Sequence, residues 1–196
     1  EGTETFNATA GLSPDDLYVL YTGGTTGMPK GVLWRQQDVF HAALAPRKTP
    51  ARVDALVERA RSRPGPRALP APPFMHGAAH WMAFAMWFVG GTVIVQSHPE
   101  RLDPDDLWST VERERVEALT IVGDAFARPL LESLEAHRYD LSSLRLLTSG
   151  GAILSAHRKA ELLRRLPGVR ITDTLGSSES GQQATQVSRA GDAATT

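Results

Sequence analysis

Eleven consecutive residues gather the groups needed to hold a polyanion: Tyr21-Thr22-Gly23-Gly24-Thr25-Thr26-Gly27-Met28-Pro29-Lys30-Gly31. Gly23, Gly24 and Gly27 let backbone N–H groups come close to an anion. The hydroxyls of Thr22, Thr25 and Thr26 add donors, and Lys30 adds a positive charge. The run is not a Walker A loop, which needs Gly-Lys-Ser/Thr, because Lys30 stands between Pro29 and Gly31. It is not a dinucleotide or protein-kinase loop either, since Gly-x-Gly occurs nowhere in the chain. A flexible turn between two strands is the bland alternative, but it leaves three threonines and a lysine without a reason.

Three more runs carry chemistry. Asp173-Thr174-Leu175-Gly176-Ser177-Ser178-Glu179-Ser180-Gly181 misses the Gly-x-Ser-x-Gly hydrolase elbow by one residue, with Ser180 where glycine is wanted. Ser149-Gly150-Gly151-Ala152 offers bare backbone for close approach of a ligand, although many strands end in Gly-Gly. Pro72-Pro73-Phe74-Met75-His76-Gly77 opens an aromatic-rich stretch that suits a hydrophobic ligand or a core. Its His76 and His80 have i, i+4 spacing, but a zinc protease needs Glu after the first His and here stands Gly77. His76 as an ordinary packing residue is the competing reading.

These runs must be positioned by the elements between them. Short β-rich segments at Tyr18–Thr22, Arg67–Pro70, Thr92–Gln96, Ala118–Val122, Leu144–Ser149 and Val169–Thr174 predict strands. Helical patterns cover Gln36–Ala45, Arg52–Arg61, Gly77–Phe88, Pro104–Arg115, Ala125–His137 and Ala156–Leu166. Asp103 is placed to cap the helix that Pro104 opens, and Ser155 the one that Pro167-Gly168 stops. Such alternation predicts an α/β fold, a largely parallel sheet with flanking helices. Ligands then sit beyond the carboxyl ends of the strands. The loops there, at 23–31, 71–77, 123–124, 149–153 and 175–181, are the ones rich in Gly, Ser, Thr and His.

Composition narrows the classes. The 196 residues are 41% hydrophobic and 22% charged, an ordinary globular balance. A net charge of −1 gives no general electrostatic case for nucleic acid. Without cysteine there are no disulfides and no thiolate nucleophile, and a cytoplasmic setting is expected. The N-terminus shows no signal peptide pattern. The apolar run over residues 77–91 falls short of the roughly 18 residues a membrane span needs and predicts a buried helix instead. Residues 46–66, proline-rich and basic, predict a surface insertion around one short helix.

The loop at Thr22–Gly31 resembles the signature of the adenylate-forming superfamily: acyl- and aryl-CoA ligases, adenylation domains of peptide synthetases, and beetle luciferases. Every position fits that family's pattern. The resemblance implies that Thr22, Gly23, Gly24, Thr25, Thr26, Gly27 and Lys30 bind the β- and γ-phosphates of ATP. Gly176, Ser178 and Glu179 match a second family motif, implying that Ser178 bonds the α-phosphate and Glu179 holds Mg²⁺. Thr25, Lys30, Ser178 and Glu179 are thereby the expected catalytic group. Leu175 departs from the tyrosine that stacks on adenine in many members. Asp173 stands where a polar residue near the adenine amino group is common, with Thr174 and Ser177 beside it. Gly150, Gly151 and Ala152 resemble a third motif of the nucleotide site. His76, Gly77 and Trp81 would line the acyl pocket, flanked by Gly123 and Asp124. The wording of residues 76–81, 122–126 and 175–180 is similar to actinobacterial fatty-acid and steroid-acid CoA ligases. The implied partners are ATP, a hydrophobic carboxylic acid and coenzyme A; a carrier protein as acceptor, a silent nucleotide-binding fragment and a homo-oligomer stay open. On this resemblance residues 1–196 form the central portion of a large N-terminal adenylation domain. The ribose-binding Asp, the hinge and the C-terminal lid with its catalytic lysine lie elsewhere. The chain alone is then expected to have little ligase activity.

Overall fold

A computed structural model describes residues 11, 13–23, 27–45 and 52–192. The first element among the described residues is an antiparallel hairpin, β1 (Leu17–Thr22) and β2 (Lys30–Arg35), in which Tyr18 faces Trp34 and Thr22 faces Lys30. Helix α1 (Gln36–Val39) follows and widens into a π-helical turn over Phe40–Leu44, closed by Ala45 N donating to the Phe40 carbonyl at 2.9 Å. The predicted helix over Gln36–Ala45 is therefore present but changes its winding halfway. Pairs directly opposite in such a hairpin share a face, so Tyr18, Leu20, Thr22, Val32 and Trp34 look inward. Leu17, Val19, Tyr21 and Leu33 are exposed on the other side.

After α2 (Val53–Ser62) the main sheet begins. Its strands are β3 (Arg67–Pro70), β4 (Thr92–Val93), β5 (Ala118–Ile121), β6 (Leu146–Gly150), β7 (Arg170–Ser177) and β8 (Gly181–Ser188), in the order β4-β3-β5-β6-β7-β8. All neighbours are parallel except β7 and β8, which form an antiparallel hairpin. Helices α3 (Gly77–Trp87), α4 (Pro104–Arg113), α5 (Gly123–Ala136) and α6 (Ala156–Arg165) make the crossovers. The parallel sheet with helical crossovers matches the predicted fold class. β2 and β8 were not among the predicted strands. Thr92–Gln96 shortens to two residues because Gln96 turns inward, its amide donating to the carbonyls of His98 and Arg101 at 3.2 Å each.

The core lies between the sheet and helices α4, α5 and α6. Leu69, Leu119, Ile121, Leu147 and Ile171 from the strands meet Leu107, Trp108, Leu130 and Leu162 from the helices, all essentially inaccessible. Each such side chain contributes roughly 1.5–3 kcal/mol on leaving water. Trp108 satisfies its indole N–H on the Leu130 carbonyl at 3.0 Å. The predicted caps form: Asp103 accepts from Asp106 N at 3.1 Å, and Ser155 from Arg158 N at 3.4 Å. Helix α3 packs on β3 and β5 together with the π-helical turn. The sequence predicts a buried helix, but α3 is only partly buried, and its Trp87 is exposed. Ala79 and Ala83 are buried, while Gly77, Ala78, Trp81, Met82 and Ala85 line a cleft. No helix among the described residues is long and apolar enough to cross a membrane.

Candidate active site

The crossover order sets where a ligand can sit. From β3 the chain steps to one side, to β4, and then returns past β3 to β5, β6 and β7. That reversal opens a crevice at the carboxyl ends of β3 and β5. A cleft of about 840 Å³ occupies this place. Four separate segments meet in it: the end of β1 (Tyr21, Thr22, Gly23), the loop after β3 with the start of α3 (Pro72, His76, Gly77, Trp81), the end of β6 (Gly150, Gly151) and the β7–β8 hairpin (Thr174, Gly176, Ser177, Ser178, Glu179). Val122 and Phe126 close one wall. Residues far apart in sequence thus converge on one cavity, as the loop positions predict.

The motif at 173–181 is not a loop hung from a strand. Its first five residues belong to β7, and Ser178–Ser180 make the turn into β8. The register shifts between Leu175 and Gly176, a bulge of the kind that re-aims side chains beside active sites. Glycine is demanded at 176 because a Cβ there would lie 2.3 Å from the Gly181 carbonyl oxygen. Ser177 builds the turn: its hydroxyl accepts from Ser180 N at 3.2 Å and Glu179 N at 3.3 Å. Ser178 and Glu179 are left facing the cleft.

The β1–β2 hairpin is tied to this turn. Trp34 donates its indole N–H to the Ser178 carbonyl at 2.7 Å. On the other side of the cleft, Tyr18 reaches α3. Its hydroxyl accepts from Trp81 Nε1 at 3.0 Å and is hydrogen-bonded to His80 Nε2, while His80 Nδ1 meets the Phe74 carbonyl at 2.9 Å. Burial pushes the Tyr18 hydroxyl pKa up against the lowering effect of the Trp81 bond. Burial likewise pulls the His80 pKa down, against the carbonyls that favour its charged form. Both ring nitrogens of His80 are engaged, so His76 and His80 do not make a metal pair. Trp34 and Tyr18 went unread in the sequence. A partly apolar strand pattern that puts an aromatic with a polar tip on the inward face was the signal available.

Several predicted residues fall elsewhere. Gly24, Thr25 and Thr26 lie outside the described residues. Gly27 is exposed, and Lys30 opens β2 directly opposite Thr22, on the same face of the hairpin but not in the cleft wall. Asp173 points to the other side of the sheet. Strand alternation sets it with Ile171 toward α6, where the Lys159 ammonium lies against its carboxylate. Leu175 is 66% exposed, and Ala152 is exposed too. Gly123 and Asp124 support the wall rather than form it. Gly123 has φ +51°, with the Ile153 carbonyl 2.4 Å from where a Cβ would be. Asp124 accepts from Ser155 N at 2.8 Å, and Gly123 N donates to Ser149 Oγ at 3.1 Å. Together they fix the 150–155 loop.

A largely parallel α/β sheet with a glycine- and hydroxyl-bearing crevice at its switch point is the architecture in which enzymes of the α/β class bind their ligands. The chain belongs to the AMP-binding enzyme family, whose model matches residues 3–196. Among its relatives, the medium-chain acyl-CoA ligase Mig of Mycobacterium avium is 45% identical over 187 residues, covering 93% of this chain and 34% of that protein. The 3-oxocholest-4-en-26-oate–CoA ligase of Rhodococcus rhodochrous is 40% identical over 86% of this chain and 32% of its own length. The chain thus spans about a third of the curated relatives it matches. Among solved structures, the inhibitor-bound N-terminal domain of FACL13 from Mycobacterium tuberculosis superposes with TM-score 0.66 at 25% identity, covering 84% of this chain and 38% of that one.

Proposed function

We propose that this chain forms the nucleotide and acyl cleft of an acid–CoA ligase, which activates a hydrophobic carboxylic acid as its acyl-adenylate and passes it to coenzyme A. The observation that carries the reading is the meeting of Thr22–Gly23, Gly150–Gly151 and Ser178–Glu179 around one cavity. Hydroxyls and bare backbone on three sides suit a polyphosphate, and the apolar wall of Trp81, Met82 and Phe126 suits an aliphatic or steroidal acid. The names of relatives at 40–45% identity support fatty and steroid-side-chain acids as the class. In this reading residues 1–196 are the central part of the larger adenylation domain, with 46–66, of which 46–51 lie outside the described residues, an insertion, and the reaction is cytoplasmic.

Glu179 fits Mg²⁺ by its chemistry: one hard carboxylate, on the cleft wall beside the Ser178 hydroxyl. Mg²⁺ is commonly held by one or two carboxylates together with water and substrate phosphates. When bound it would neutralise phosphate charge. The acid's carboxylate oxygen attacks the α-phosphorus of ATP, the bond to the bridging oxygen breaks, and pyrophosphate leaves. No covalent bond to the protein forms, so the residues act by positioning and by charge stabilisation. Thr22 and Gly23 hold the departing phosphates, and Ser178 steadies the α-phosphate.

The test replaces the matching segment of the Mycobacterium avium ligase with this chain and follows fatty-acid-dependent exchange of pyrophosphate into ATP. Exchange is expected, with Glu179→Gln lowering it by roughly a hundredfold or more, as for removal of a group that stabilises developing charge. A folded chimera whose exchange is indifferent to Glu179→Gln would overturn the assignment.

A further inference from the structure

Trp81 stands in the cleft wall, yet two of the side chains that hold it, Tyr18 and His80, do not. Its indole lies over Gly77, with Cε2 only 3.1 Å from where a Cβ on Gly77 would be. That contact fixes the ring's distance from the helix but not its tilt. The tilt depends on the indole N–H, which donates to the Tyr18 hydroxyl at 3.0 Å. Tyr18 is on β1, four positions before Thr22, and is half-buried. Its hydroxyl, having accepted from Trp81, has one proton left to give, and His80 Nε2 is its partner. For Nε2 to accept, the imidazole must carry its proton on Nδ1, where the Phe74 carbonyl receives it at 2.9 Å. The chain of donors and acceptors closes without a spare: Trp81 N–H to Tyr18 O, Tyr18 O–H to His80 Nε2, His80 Nδ1–H to Phe74 C=O. Each group has one role it can take.

Neither Tyr18 nor His80 is among the residues lining the cleft, whereas Trp81 and His76 are. The circuit also joins three segments: the hairpin leading to the phosphate loop, the loop after β3 and helix α3. We infer that Tyr18 and His80 are positioning residues for acyl recognition. They set the orientation of the Trp81 indole as a wall of the acyl pocket, and they link that wall to the hairpin that carries the phosphate loop. This rests on the functional reading above. It goes beyond it by assigning two residues that touch no substrate.

The consequence is a split between ligands. Loss of the Tyr18 hydroxyl leaves the indole N–H and His80 Nε2 without their partners, so the ring is free to turn and the acyl wall loosens. Thr22, Gly23, Ser178 and Glu179 keep their own supports, including the Trp34 bond to the Ser178 carbonyl at 2.7 Å.

The experiment uses the chimeric ligase described above, carrying this chain in place of its matching segment and labelled with ¹⁵N, its Trp81 indole resonance assigned through Trp81→Phe, and two probes, decanoate and ATP with Mg²⁺. In the unaltered chain decanoate is expected to move the Trp81 resonance, and ATP to move the backbone signals of Gly23 and Ser178. Tyr18→Phe is expected to speed exchange of the Trp81 indole proton and weaken decanoate by roughly tenfold, the scale of leaving a buried donor unpaired, with ATP affinity unchanged. His80→Leu should behave like Tyr18→Phe. His80→Gln, whose amide can both accept from Tyr18 and donate to Phe74, should restore decanoate binding. Equal decanoate affinity in all four proteins, or equal losses for decanoate and ATP, overturns the positioning role while leaving the functional reading intact. Failure of both probes to move any cleft signal in the unaltered chain overturns the functional reading and this assignment with it.

Discussion

Asp173 shows how one residue's role depends on which face of a strand it occupies. By its place before Thr174 and Gly176 it reads as a nucleotide contact. In the fold it turns toward α6, and its carboxylate meets the ammonium of Lys159, which is 1% exposed. A buried lysine is tolerated only with a partner, because an isolated ammonium away from water is very costly. Asp173→Asn is therefore expected to lower the unfolding free energy by about 3 kcal/mol, the range for breaking a buried pair by removing one partner. Urea denaturation measures it. Adding Lys159→Met should recover much of the loss, since it removes the uncompensated buried charge. If Asp173 instead served the adenine directly, the single substitution would weaken ATP binding and cost about 0.5 kcal/mol or less in stability, the range for an ordinary surface change.

Among the elements, the β1–β2 hairpin makes side-chain connections to both sides of the cleft. Tyr18 and Trp34 are direct cross-strand partners, and they reach in opposite directions, to α3 and to the Ser178 carbonyl. Trp34→Phe keeps the ring and removes the bond. Its expected cost is about 1 kcal/mol in stability, together with a roughly fivefold loss of ATP affinity, the same energy expressed as binding, readable by calorimetry. A loss of stability with no change for ATP would show that the bond holds the fold but not the phosphate site. This hairpin also marks where sequence reading stops. The parallel strands are legible because Leu69, Leu119, Ile121, Leu147 and Ile171 are apolar and are separated by helices with clear caps. β2 is not, since Lys30-Gly31 reads as the tail of a loop and only Val32–Trp34 is strand-like. β8 is not, because Gln182-Gln183-Ala184-Thr185-Gln186 forms a solvated edge whose pairing is set by β7, with no apolar alternation of its own. The cleft follows the same division. Thr22, Gly150 and Ser178 stand out as motif residues at strand ends. Tyr18, His80 and Trp34 act through side-chain geometry that no spacing rule reveals.

Across the whole molecule, the two ends of the parallel sheet have different work. The carboxyl ends hold the cleft, with its glycines, hydroxyls and bulged hairpin. The opposite edge is knitted by charge. Arg115, at the unusual φ of +52° just beyond α4, donates to Asp140 at 2.6 Å and to the Ser142 hydroxyl at 3.0 Å. Asp140 N in turn donates to Glu112 at 2.9 Å. The Ser142 hydroxyl and backbone N–H, and then Arg115, hold the Asp140 carboxyl down from 3.8 to about 2. The folded state therefore keeps this group ionised where the unfolded chain has begun to take up a proton. Its contribution is complete above the unfolded value of 3.8 and is lost as pH falls toward about 2. Asp140→Asn should remove that dependence: urea midpoints measured from pH 6 down to pH 2 should fall less steeply than those of the unaltered chain, and the two curves should converge at the acid end. Because Asp140 sits at the edge away from the cleft, ATP binding at pH 7 should be the same in both proteins. A parallel pair of curves would mean that Asp140 titrates alike folded and unfolded, and that the Arg115–Asp140–Ser142 contacts do not persist in solution. Weaker ATP binding in the variant would show that the edge and the cleft are mechanically coupled through α5, whose first residues fix the 150–155 loop and whose last residues lead into Asp140.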